Sequence, residues 1–91
     1  MGDENAGDDR PVHGAGLEVT ELDAGLIVYQ ASPEQVHHLN NTAALVFELS
    51  TGQWTVAEIA TQIGTAFALD EAPVEAVRVC VAQLRRDGVL R

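Results

Sequence analysis

The chain has no lysine, one cysteine and few aromatic side chains. Each shortage excludes something. Against 14 acidic residues stand five arginines, for a formal net charge of −9. Neutralising phosphates takes a surplus of basic groups, so neither duplex nucleic acid nor an anionic membrane surface suits such a chain. Beyond the N-terminal stretch, Arg78, Arg85, Arg86 and Arg91 are the only material for a local basic patch. A single cysteine, Cys80, excludes an intrachain disulfide and fits a reducing cytosol. No apolar run approaches bilayer-spanning length, and no basic start leads into an apolar core. A cytoplasmic location is therefore expected. With aromatics at 4%, the core has to be built from Val, Leu, Ile and Ala. A hydrophobic content of 46% over 91 residues suffices for one domain.

Residues 1–16 are acidic and Gly-rich, with almost nothing to bury, and read as a disordered tail ahead of a domain over 17–91. Leu17, Val19 and Leu22 are spaced for a short strand, which Asp23-Ala24-Gly25 turns. Leu26-Ile27-Val28-Tyr29 is β-branched, aliphatic and aromatic, the strongest strand signal in the chain. Ala31-Ser32-Pro33-Glu34 turns again, and residues 35–39 form a third strand. Short strands with tight links predict an antiparallel meander.

From Asn40 onward the apolar period becomes helical. Asn40 or Asn41 offers a side-chain cap, and Ala43, Ala44, Leu45, Val46, Phe47 and Leu49 follow. A helix over 41–50, apolar most of the way round, belongs in the middle of the domain, and Gly52 stops it. Thr55 and Glu58 have the spacing of a capping box. They open a second helix over 56–67, with Val56, Ile59, Ala60, Ile63 and Phe67 on one face. Pro73 suits the first turn of a third helix running to about Asp87. There Val74, Val77, Val81 and Leu84 form a stripe that must face the core, Gly88 ends the helix, and Val89-Leu90 packs back. The fold class is α+β, in the order β-β-β-α-α-α, a winged-helix-like arrangement.

No catalytic set emerges, so an activity without enzyme chemistry, cofactor or metal is expected. His37 and His38 are neighbours on a strand, and their side chains diverge. One should be half-buried and the other exposed. Cys80, beside the apolar stripe, reads as a small buried hydrophobe rather than a reactive thiol. Trp54, between the first two helices, reads as a lid over their junction in preference to a partner contact. An open strand edge remains, beside an apolar helix. An extended peptide adds to such an edge through backbone hydrogen bonds and is selected by its side chains.

Leu39-Asn40-x-Thr42-Ala43, then the apolar helix, Thr51-Gly52 and Thr55-Val56-x-Glu58-Ile59 together resemble the PqqD-like family, the small modules called RiPP recognition elements. The resemblance spans roughly residues 17–90. It implies binding of the leader segment of a ribosomally synthesised precursor peptide, in RiPP natural-product biosynthesis. The leader adds as an antiparallel strand to the third strand and lies between it and the third helix. It is presented to a modification enzyme: a radical enzyme, peptidase, cyclase or dehydratase. Carried onto this chain, Val36, His37, His38 and Leu39 pair with the leader backbone. Val77, Arg78, Cys80, Val81, Leu84 and Arg85 contact its side chains, the two arginines attracting acidic ones. The chain departs from the family where Ala76 replaces a frequent acid and Cys80 a frequent aromatic, which leaves a roomier groove. An open edge fits a monomer or a strand-mediated dimer. The alternative reading is a winged-helix DNA-binding transcriptional regulator.

Overall fold

The computed structural model describes residues 9–31 and 33–91. Its elements are β1 (Leu17–Leu22), β2 (Gly25–Ala31), β3 (Glu34–Leu39), α1 (Asn41–Leu49), α2 (Val56–Ala66) and α3 (Val74–Arg86). The strands form one antiparallel sheet in the order β1-β2-β3, so the expected meander and the β-β-β-α-α-α order are what the chain adopts.

Strand alternation decides which face is covered. Leu26 and Val28 are buried, whereas Ile27 and Tyr29 are only half-buried. Register sets Leu39 beside Leu26 and His37 beside Val28, so these share the inner face. Helix α1 packs on that face and also touches α2 and α3, the central place its all-round apolar sequence required. Gly25 makes the approach of hairpin and helix possible. Its φ is +143°, and a Cβ there would lie 1.9 Å from the Leu39 carbonyl oxygen. No other residue fits.

The helix ends follow local chemistry. Asn40, not Asn41, caps α1: its Oδ1 accepts from the Ala43 N–H at 2.9 Å. At the far end the Ser50 hydroxyl, fully buried, donates to the Val46 carbonyl at 2.7 Å, so the burial leaves no polar atom unmatched. The capping box of α2 is complete, with the Glu58 N–H donating to Thr55 Oγ1 and the Thr55 N–H to Glu58 Oε1. α3 ends in a Schellman motif on Gly88 (φ +81°). The Val89 N–H returns to the Leu84 carbonyl and the Gly88 N–H to that of Arg85. Leu84 and Val89 are both buried, as the hydrophobic contact of that motif requires.

The sequence placed residues 1–16 in a tail with nothing to bury. Met1 to Asp8 lie outside the described residues. Residues 9–14 are bonded to the rest of the domain, which corrects that expectation for them, while Ala15 and Gly16 are exposed. Pro11 is fully buried, and its carbonyl accepts from the Gly52 N–H. Val12 and Arg91 exchange backbone hydrogen bonds, and the Gly14 N–H donates to the Val89 carbonyl. This arm makes a short antiparallel ribbon with the extension after α3. The hydrogen bonds of that ribbon come from backbone, which composition does not reveal.

Candidate functional site

β3 lies at the edge of the sheet, the position on which peptide addition depends. Its side chains alternate as the sequence required. His37 points to the inner face, half-buried, with its Nε2 3.1 Å from Oε1 of Gln30. Leu39 shares that face and is buried in the core. Val36 and His38 point outward and are exposed. A central strand would have both edges occupied. Here the second edge of β3 has no strand beside it among the described residues.

The residues nominated on α3 separate into three groups. Val77, Val81 and Leu84 are core residues, none more than 4% exposed. The three-and-four spacing that singled them out marks the packed face of a helix. They can shape a neighbouring surface but offer little of it themselves. Arg78 and Cys80 differ by two positions, so their side chains leave the helix about 160° apart. Arg85 falls on the Arg78 side. Arg85 holds Asp9 through two 2.7 Å hydrogen bonds, and the Asp9 carbonyl accepts from Val56 N–H, at the first residue of α2. That flank therefore faces α2 and the arm. Cys80 is on the flank turned away from α2, with Ala76 and Gln83 on the same side by helical period.

Electrostatics reinforces the division. The hydrogen bonds from Arg85 hold the Asp9 carboxyl below its ordinary range, and burial opposes this only in part. Arg78 pairs with Glu75 on the exposed surface, a hydrogen bond that lowers the Glu75 carboxyl and raises the guanidinium. Each arginine nominated to attract an acidic leader thus already has an acid. Burial pushes the Cys80 thiol up, which favours the neutral, unreactive form expected of a small hydrophobe.

Two recesses lie elsewhere. One of about 170 Å³ sits between the β1–β2 hairpin and α1, walled by Leu22, Ala44, Leu45 and Glu48. Another of about 540 Å³ is bordered by Arg10, Gln53, Trp54 and Glu58. Neither includes a residue of β3 or α3. Trp54 is half-buried and packs against the core, consistent with a lid over the helix junction. Among the described residues no cluster of three or more His, Cys, Asp or Glu could hold a metal ion. None of their helices is long and apolar enough to cross a membrane.

Sequence reasoning missed the arm. Asp9, Pro11 and His13 support the ends of α1 and α2 and the flank of α3. His13 stacks on the Phe47 ring, centroids 4.0 Å apart, with its Nε2 2.7 Å from the Phe47 carbonyl oxygen. The only signal was Pro11-Val12-His13 interrupting an otherwise small and acidic stretch. The separation of Cys80 from the arginines was readable in advance from the helical period.

These features define a small α+β module whose β3 edge is uncovered among the described residues. Among solved structures the chain is similar to one described as "Lasso peptide synthetase B1 complexed with the leader peptide", with a TM-score of 0.75 and 20% identity. The match covers 90% of this chain and 98% of that one, and at this identity it establishes a shared fold. No curated protein matches. Residues 25–90 match the family model described as coenzyme PQQ synthesis protein D, and the chain belongs to that family, PqqD.

Proposed function

We propose that this chain binds the leader segment of a ribosomally made precursor peptide by strand addition at β3 and presents it to a modification enzyme. The observation that carries the reading is a β3 edge left free by the described residues, in a member of the PqqD family. The similar solved structure is described as complexed with a leader peptide, which supports it. Backbone pairing at residues 36–39 supplies affinity without a preformed cavity. Leader side chains on the helix side meet His37 and the Cys80 flank of α3. Leu39, Val77, Val81 and Leu84 act from beneath, as the packed floor. Arg78 and Arg85 stand on the other flank and do not attract the leader in this reading. The binder itself performs no chemistry and needs no cofactor. The enzyme it serves is a radical enzyme, peptidase, cyclase or dehydratase. A regulator docking α3 in duplex DNA finds no support here, because Arg78 and Arg85 are each matched by an acid.

The test is an amide NMR titration with a candidate leader. Shifts should cluster on residues 36–39 and around Cys80. A titration to an order of 50 µM that moves neither region would sink the reading.

A further inference from the structure

Helix α1 covers one face of the sheet, and the other face is open among the described residues. Two cross-strand rows run along the open face, Glu18–Tyr29–Val36 and Thr20–Ile27–His38. Tyr29 and Ile27 have a neighbour on each side and are half-buried. Among the described residues Val36 has a cross-strand neighbour on one side only. It is 63% exposed, more than any other large hydrophobic among the described residues. The row that begins at Glu18 therefore ends in an apolar side chain with an unfilled position beyond it. The two edges also differ in charge. β1 carries Glu18 and Glu21, whereas the four central positions of β3, Gln35 to His38, hold no carboxylate. Acidic edges resist pairing, and a Val on a neutral edge invites it.

We propose that the leader is read on this outer face as well as on the helix side, with Val36 as a specificity-determining residue. The inference rests on strand addition at β3. In an added strand, alternate side chains fall on the outer face. The leader residue opposite Val36 is β-branched or aromatic and extends the Tyr29–Val36 row. In antiparallel addition, the residue two places before it faces His38 and is an acid or amide. The residue two places after faces Glu34 and is basic. Glu34 is fixed for that contact by the Tyr29 hydroxyl, which donates to its Oε2 at 3.2 Å. The ligand class is thus a segment alternating acid or amide, any residue, branched or aromatic, any residue, base. A one-residue slip would send this whole set to the helix side, so the pattern also fixes register.

The experiment pans a phage library of random dodecapeptides on the wild-type chain, Val36→Lys and Val36→Glu, and locates binders on the protein by amide NMR. The wild type should enrich a branched or aromatic residue at one position. At that same position Val36→Lys should favour Asp or Glu and Val36→Glu should favour Lys or Arg, each by about two- to fivefold. Loss of folding cannot produce opposite preferences in the two variants. If all three proteins enrich the same residues in peptides that shift 36–39, outer-face reading is overturned and strand addition stands. If no enriched peptide shifts 36–39, strand addition itself fails and this inference with it.

Discussion

Asp9 and Arg85 meet across 76 positions of chain, and no spacing rule pairs them. The unfolded Asp9 carboxyl titrates near 3.8, and the hydrogen bonds from Arg85 lower it in the fold. The pair's contribution is therefore present above that pH and lost as pH falls through the lowered value. With both side chains 34% exposed, solvent screening keeps it below about 1 kcal/mol. Asp9→Asn should lose that much in urea melts at pH 7, and the deficit should shrink in melts at about pH 3. A deficit unchanged between the two pH values would contradict this account. Backbone conformation gives a second pair of expectations. Gly25→Ala places a Cβ against the Leu39 carbonyl and should cost about 2–4 kcal/mol. Ala68 closes α2 in the left-handed region, at φ +54°, where glycine is usual. Ala68→Gly should raise stability by up to about 1 kcal/mol, read as a higher Tm. Caps such as Thr55 with Glu58 were legible because donor and acceptor lie three residues apart. Asp9 was not, because its partner is fixed only by the fold.

Among elements, the helices were legible to within one or two residues, since caps and apolar period are both local signals. β2 runs further than its apolar core suggested, from Gly25 to Ala31, because pairing with two neighbours carries the ladder into the turns. The peptide contacts assigned to α3 were less legible. A stripe at spacings of three and four says which face is packed and nothing about which flank adjoins β3. The helical period then separates Cys80 from Arg78 and gives a test of the groove. Cys80→Trp, filling the flank turned away from α2, should weaken leader binding at least about tenfold in fluorescence anisotropy, roughly 1.4 kcal/mol. Arg78→Ala should leave it within about twofold. The reverse ranking would put the leader on the other flank.

For the whole molecule, the family resemblance was visible in a run of short motifs whose order and spacing carry more than any one of them. What the motifs omit is the arm, which lies before residue 25, where the family match begins. Its contribution to stability combines fully buried Pro11, the backbone ribbon and the Asp9 pair. Removing residues 1–14 should cost about 2–4 kcal/mol. The urea midpoint should fall, with the far-UV helical signal kept at low denaturant. An unchanged midpoint would make the arm an ornament of the fold.

The ribbon has one more consequence, and it is mechanical. Val12 is bonded to Arg91 and Gly14 to Val89, so residue 12 and residue 91 lie at the same end of two antiparallel segments. Tension applied between them opens the ribbon one rung at a time, as a zipper opens, and never loads all its bonds in shear. Whatever pulls on the chain from both sides meets that soft seam before it meets the sheet.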